Sequence, residues 1–417
     1  MAWPEVVIRA DYTTPELQIP TDWTVLHDSG NRTMRSVNIH QGRQRLLAQT
    51  EAGNATAVLD DRDRSLDPDL HPEVKPGIHL WIQAVVAAQP IDLFRGFVRS
   101  ATEQWTEDVD AVSVLAAEDV FALLGRYEME GDAVAELATG AHLEYVLGLY
   151  GWPAPGSIPP GTTWWLLGQV GASELGTTTF LGDQASFFDD GESTIMATTL
   201  EGNLLAHLLN VAEVTERGTL YVGPSGDLIF NEKPSPFDPS IGTWGDLAGS
   251  GELRYAALSM RYDDEELFND IRLTRRGDST PSTASNVPAN TAPRTYAKTD
   301  TLFSTIGQQQ AMATELLTKY QQAIRYPAQM VMRPKYDSPL WLATLGVELG
   351  SRLTVRRRPP GGGDMLELDC LLLGVTHDIT LDNWTITWDL APAEPILDAW
   401  YLGRSGHSEL GTTTILG

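Results

Sequence analysis

The residues able to do chemistry are spread thinly along this chain, and their spacing brings few of them together. Eight histidines occur and none is paired at i, i+4, so the one-turn spacing that lets a helix face hold zinc is missing. HExxH, a phosphate-binding P-loop and GxGxxG are absent too. Gly406-His407-Ser408-Glu409-Leu410 lacks the closing glycine of a nucleophile elbow, and Ser408 reads as a turn serine. Asp61-x-Asp63-x-Ser65 opens like a calcium loop, but Leu66 and Pro72 stand where its glycine and its last glutamate belong; a loop capped by its own carboxylates is expected. Asp189-Asp190 and Asp263-Asp264-Glu265-Glu266 form a glycosidase dyad only if folding sets two of them across a cleft, and runs of this kind read as solvated loops. Arg352, Arg356, Arg357 and Arg358 read as a salt-bridging strand face or a subunit contact. Cys370 is the single cysteine, which excludes an intrachain disulfide and a cysteine-built metal site. The expectation is a chain with no catalytic centre, no cofactor and no metal.

The elements around these residues are mostly strands. Val6–Ala10, Trp23–Leu26, Val37–Ile39, Ala55–Leu59, Ile78–Ile82 and Leu93–Val98 alternate or carry β-branched runs, as in a small barrel or sandwich. Residues 112–124 pass from strand to helical period, and Ala141–Tyr150 reads as a short helix ended by Gly151-Trp152-Pro153. Leu200–Val214 has helical periodicity, and a hairpin over 219–230 turns at Gly223-Pro224-Ser225-Gly226. Residues 278–297 read as a polar linker, Ser304–Ile324 as a helix, and strands resume over 330–388. The predicted fold is α+β, mainly β: two small β-barrel-like domains flanking an α/β middle domain, with a β-forming C-terminal tail. The boundaries are 1–110, 111–250 with a Gly/Pro/Thr-rich excursion at 155–198, 251–395 with the linker and helix, and 396–417.

One pattern stands outside this scheme. Residues 165–182 recur at 400–417, with 13 of 18 positions identical. Trp165, Leu167, Leu175, Thr178 and Leu181 return as Trp400, Leu402, Leu410, Thr413 and Leu416. Three Leu-Gly pairs and a Thr-Thr-Thr run per copy favour strands with close backbone approach. The repeat reads as one structural element used twice, the copies pairing with each other or adding strands to a neighbouring subunit. A terminal strand frays unless docked, so the second copy is expected to be anchored. In a symmetric trimer, six such elements would face a sixfold partner.

Composition sets outer bounds. The chain has 417 residues, enough for several cores, with 56 acidic against 29 basic residues and a net charge of −27. That field repels nucleic acid, so sequence-specific binding is not expected; acidity serves solubility or lines a passage through which DNA slides. No signal peptide or 18-residue apolar run is present, so synthesis in a cytoplasm and no stable membrane insertion are expected.

The segments 42–68, 93–105, 218–230, 267–277, 349–363 and 375–394 (among them GRQRLLAQTEAGNATAVLDDRDRSLDP, LFRGFVRSATEQW and VTHDITLDNWTITWDLAPAE) together resemble the minor tail proteins of actinobacteriophages with long non-contractile tails. That family is similar to the baseplate hub of contractile-tailed phages. The resemblance implies a trimeric virion hub at the tail tip, made in the host bacterial cytoplasm. Its implied partners are the distal tail protein, the tape measure protein and other minor tail or receptor-binding proteins. It implies no catalytic residues. The alternatives are a hexameric distal tail protein, a tail-associated cell-wall hydrolase, and a carbohydrate-binding module suggested by the 12 tryptophans.

Overall fold

A computed structural model describes residues 3–16, 20, 22–105, 110–150, 188–234, 238–247, 251–335 and 338–393. Both copies of the repeat, and with them Trp165, Leu167, Leu175, Thr178, Leu181, Trp400, Leu402, Leu410, Thr413 and Leu416, lie outside the described residues, as does Ser408.

The chain is mainly β, as expected. The first seven strands are β1 (Glu5–Asp11), β2 (Thr24–His27), β3 (Met34–Gly42), β4 (Glu51–Asp60), β5 (His79–Val86), β6 (Gln89–Trp105) and β7 (Ala111–Glu118). Helix α1 (Phe121–Leu124) follows, then β8 (Glu128–Val134), β9 (Leu137–Ala138), α2 (Thr139–Leu149), β10 (Thr194–Ile195), β11 (Thr198–Asn203) and α3 (Leu204–Leu209). The hairpin β12 (Thr219–Val222) and β13 (Leu228–Asn231) leads to β14 (Thr243–Gly245), β15 (Leu253–Arg254) and β16 (Ala257–Arg261). Then come β17 (Asp270–Arg275), β18 (Ser282–Ser285), β19 (Thr295–Thr301), α4 (Ile306–Tyr320), β20 (Tyr326–Met332) and α5 (Ser338–Leu345). The last described strands are β21 (Arg352–Arg357), β22 (Leu366–Thr380) and β23 (Trp384–Pro392).

Fourteen strands form one sheet in two groups. The first runs β2-β1-β5-β6-β7-β4-β3 and the second β16-β20-β23-β22-β21-β14-β15. Each group is rolled by a short link between its two ends. Only Tyr255 and Ala256 separate β15 from β16. Six residues separate β2 from β3, and His27 Nδ1 accepts from Thr33 N at 3.0 Å and Met34 N at 2.9 Å. A chain that crosses from one end of a sheet to the other in so few residues has to curl the sheet between them.

The groups are fused through β22. One edge of this strand pairs with β21 over Leu366–Leu371 and then with β3 from Gly374 to Thr380, while β23 lies along the other edge. Cys370-Leu371-Leu372-Leu373 is a continuous buried run because both faces of the strand are covered. One core spans both groups, from Ile8, Ile39, Leu59 and Phe94 to Trp244, Met330, Leu372 and Trp388. The groups therefore share an interior as well as a sheet.

A second core holds α1, α2, α3 and the β12–β13 hairpin together through Phe121, Leu143, Leu204, Leu220 and Phe230. Here the expected helix over 200–214 is corrected. Residues 198–203 extend β11 against β8, Gly202 sits at φ +79°, and Asn203 caps α3 by accepting from Ala206 N at 3.1 Å. A left-handed residue and an N-cap both stop a helix from starting earlier. After α3 the chain widens into a π turn, Asn210–Thr215.

The expected linker at 278–297 is also corrected. It contains β18 and enters β19, which flank β17 in a three-stranded sheet packed on α4. Its polar side chains suit a strand whose outer face meets water, and Gln309 and Gln310 of α4 donate to the carbonyls of Leu273 and Thr283.

Gly42 is the tightest point of the β22–β3 junction. Its φ is +93°, and a Cβ there would lie 2.2 Å from Leu373 O and 2.8 Å from Gly374 Cα. Gly42→Ala is expected to cost about 2–4 kcal/mol, from left-handed strain and an overpacked backbone. Urea unfolding checks it: the wild type and the variant should each show one transition by both tryptophan fluorescence and circular dichroism, the variant's at lower urea.

Candidate interaction surfaces

The candidate chemistry is used up by the fold. The Asp60–Asp69 loop caps itself as expected: Asp61 Oδ1 accepts from Leu66 N at 2.9 Å and its Oδ2 from Ser113 Oγ at 2.8 Å, while Arg64 Nε reaches Asp67 Oδ2 at 2.7 Å. Among the described residues no three His, Cys, Asp or Glu side chains converge as a metal site would require. The run 263–266 is a solvated loop, as expected, with Asp263, Asp264 and Glu265 exposed, and its acids find partners at the surface. Asp264 meets Arg294 Nη1 at 2.5 Å, Glu265 pairs with Arg45, and Glu266 Oε1 accepts from Leu47 N at 3.2 Å. Asp189 Oδ2 accepts from Glu232 N at 2.9 Å. Asp263 and Glu266 line one pocket together from the same loop.

The arginine cluster is a salt-bridging strand face. Arg352 meets Asp369 at 2.7 Å, Arg356 meets Glu367 at 2.8 Å, Arg357 meets Asp246 at 2.9 Å, and Arg358 meets Asp246 at 2.8 Å and Glu252 at 2.7 Å. Arg356 and Glu367 are directly opposed in the β21–β22 register, where opposite charges favour pairing. With Asp246 and Glu252 flanking β14 and β15, these bridges fasten the short parallel strands to β21.

Sequence reasoning missed a buried ion pair. Arg43 and Glu213 lie 3.5 Å apart and are almost wholly buried. Glu213 also accepts from Thr50 N at 3.0 Å and Thr50 Oγ1 at 2.5 Å, and Arg43 donates to Ala48 O and Thr219 Oγ1 at 3.1 Å each. Burial pushes the Arg43 guanidinium below and the Glu213 carboxyl above their usual ranges, each partly offset by the other. This pair ties the loop after β3 to the π turn, joining the large sheet to the helical core.

Five histidines are held neutral by burial: His27 below its usual value, His79, His142 and His377 down to about 4, and His207 to about 3. Nε2 of His142 and Nε2 of His207 lie 3.0 Å apart, an arrangement that excludes charge on both. His377 Nδ1 accepts from Trp384 Nε1 at 3.3 Å. Outside the His142–His207 couple these imidazoles sit apart, and each is a core or seam group.

A cavity of about 330 Å³ is lined by Leu46, Leu267, Tyr320 and Tyr326 and by the carboxylates Asp263, Glu266 and Glu315. It sets no nucleophile beside a base. Trp244, Trp341, Trp384 and Trp388 are core residues, so they form no sugar-binding platform. Of the exposed apolar groups, two stand at one end of the sheet. The registers set Thr380, Ser36, Val58, Val114 and Thr102 in one row across five strands. Just beyond that row Leu381 and Trp105 are each 68% exposed. Two hairpins thus project from the same end of the sheet, one from each strand group.

The geometry defines a mainly β protein whose two rolled strand groups share one sheet. That fold is shared by solved tail proteins. The tail protein from Neisseria meningitidis MC58 superposes with a TM-score of 0.56 at 11% identity, covering 93% of this chain and 96% of that one. The 43 kDa tail protein of prophage MuSo2 from Shewanella oneidensis superposes with a TM-score of 0.53 at 10% identity, covering 93% and 97%. No protein-family model matches the sequence, and no curated protein matches it.

Two outcomes are expected. Glu213→Ala leaves Arg43 buried without its carboxylate and should cost about 3–5 kcal/mol, read as a lowered urea midpoint. Lowering the pH from 7 to 5 should also destabilise the protein. The five imidazoles protonate near 6.5 when unfolded and below that when folded, so the unfolded state gains protons first and stability falls with pH. Asp119, pushed up to about 8 by burial, runs the opposite way, as do Glu103, Glu144, Glu213, Glu232 and Asp389, which burial also raises; the expected fall is what the imidazoles contribute beyond these carboxyls. A urea midpoint that holds or rises between pH 7 and 5 would contradict the burial of these histidines.

Proposed function

We propose that this chain is a structural component of the phage tail tip, a trimeric hub that closes the tail tube. The observation that carries the reading is the fold shared with two tail proteins over 93% of the chain. The doubled rolled group supports it further, because three subunits with two groups each present six similar elements to a sixfold ring. In this reading the divisions at 1–110, 111–250, 251–395 and 396–417 are its working parts. The hairpin tips at Trp105 and Leu381 face the distal tail protein, and the tape measure protein and the receptor-binding or spike proteins are the other neighbours. The repeat residues Trp165, Leu167, Leu175, Thr178 and Leu181, with Trp400, Leu402, Leu410, Thr413 and Leu416, form the second contact set. The hub acts by assembly and carries out no catalysis; its acidic balance suits a passage for DNA.

Light scattering on the purified chain is expected to give a mass near three times 45.7 kDa. A hexamer would favour a distal ring protein, and release of sugars or peptides from host cell wall would favour an enzyme. Deleting residues 400–417 is expected to leave the urea midpoint of the main core within about 0.5 kcal/mol while lowering incorporation into particles. Unchanged incorporation would remove the repeat from the contact set.

A further inference from the structure

The arginines of β21 each meet a carboxylate; Arg95 on β6 does not. Strands β1, β5 and β6 place Arg9, Trp81 and Arg95 side by side in register. Their chain neighbours Ile8, Ala10, Leu80, Ile82 and Phe94 are core residues, so alternation puts these three on the outer face. There they form a stack. The Arg9 guanidinium lies 5.0 Å from the Trp81 ring centre, and Arg95 lies 5.0 Å from Trp81 and 5.3 Å from Trp23. The two tryptophan rings are 5.2 Å apart.

Arg95 is 4% exposed, and its Nε is buried without a hydrogen-bond partner. One acid, Asp92, belongs to this face: its Oδ1 accepts from Trp81 Nε1 and Gln83 Nε2, both at 2.8 Å. Arg9 donates to Gln83 Oε1 and has no ion pair among the described residues. Aromatic faces stabilise a guanidinium but do not neutralise it. Burial lowers Arg95 to about 10, and Asp92 and Asp227 offset this only from a distance. With one carboxylate to two guanidiniums, the face keeps a net positive charge on a chain of net charge −27.

The same chain carries its complement. Strand β8 exposes Glu128, Glu130 and Asp132, and Glu130 stands directly opposite Glu201 in β11. Like charges facing one another across a strand pair destabilise it, and none of these four carboxylates has an ion-pair partner among the described residues. The ribbon has an excess of anions where the stacked face has an excess of cations.

We propose that the Arg9–Trp81–Arg95–Trp23 face is a subunit contact, filled by the acidic β8–β11 ribbon of a second copy of this chain. The inference deepens the assembly reading and rests on it. The two patches differ, so the contact is head-to-tail, the kind that generates a ring when its rotation closes. The tryptophans would shield the arriving carboxylates from water, where each ion pair is stronger than on an open surface.

The test is charge reversal at partly exposed positions, read by sedimentation of the full chain at low and high salt. Arg9→Glu and Glu130→Arg are each expected to weaken association about tenfold or more, with unchanged circular dichroism, and the double variant is expected to restore it. Association of the wild type should weaken as salt is raised from about 0.05 to 0.5 M. Single variants that assemble as the wild type does, or a double variant no better than the singles, would overturn this contact and leave the hub reading standing. A wild-type chain that stays monomeric at every concentration would overturn both.

Discussion

The pairing of β22 with β3 is the constraint on which the rest of the molecule depends. Strands more than 300 residues apart in sequence meet along seven positions, from Gly374 opposite Gly42 to Thr380 opposite Ser36. Without this seam there would be two rolled groups of seven strands, each closing a small interior of its own. With it, Ile39 and Leu372 belong to one core. The seam also explains two glycines. The backbones of β3 and β22 approach so closely where β21 hands over to β3 that no side chain fits at Gly42, and a Cβ at Gly374 would lie 2.9 Å from Arg43 O.

The middle of the chain depends on the same seam. Arg43 follows Gly42 directly, and its amide donates to Leu373 O at 2.9 Å, so its guanidinium is aimed by the junction itself. It reaches Glu213 in the π turn, and the π turn reaches further: Thr215 Oγ1 accepts from Leu302 N at 3.2 Å, at the start of the segment that leads into α4. One close backbone approach thereby orients three cores. A buried pair of this kind adds little net stability once desolvation is counted, and its value lies in fixing one arrangement.

Much of this was legible in the sequence. The strand periods of β1 to β7 and the strand-to-helix change at 112–124 are local patterns, and so is the Gly-Pro-Ser-Gly hairpin; local patterns survive folding. The arginine cluster was legible as well, because alternate arginines on one strand of an acidic chain read directly as a face for carboxylates on the neighbouring strands. Three features were not. The start of α3 was missed because Leu200 to Leu209 keeps a helical apolar spacing, while Gly202 and pairing with β8 override it. The strand β18 was missed because Ser-Thr-Ala-Ser has the composition of a linker, and only its partner β17 makes it a strand. The Arg43–Glu213 pair joins residues 170 positions apart, and sequence spacing holds no record of such a contact.

The distribution of charge follows from the same economy. The arginines of β21, and with them Arg35, Arg45, Arg276 and Arg294, are committed to carboxylates within the chain. They stabilise junctions between elements and leave the acidic excess on the outside. Such a surface resists nucleic acid and resists random self-association alike. Specific association then requires local exceptions to the acidity, and these have to be built where water can be excluded. A guanidinium packed beside two indole rings meets that condition better than an exposed lysine: the rings fix its direction and keep it dry. Arg95 sits on β6, the strand that runs out to Trp105 at the tip of its hairpin. The rigid sheet that the seam creates therefore positions both the cationic face and the projecting apolar tips, and fixes the distance between them.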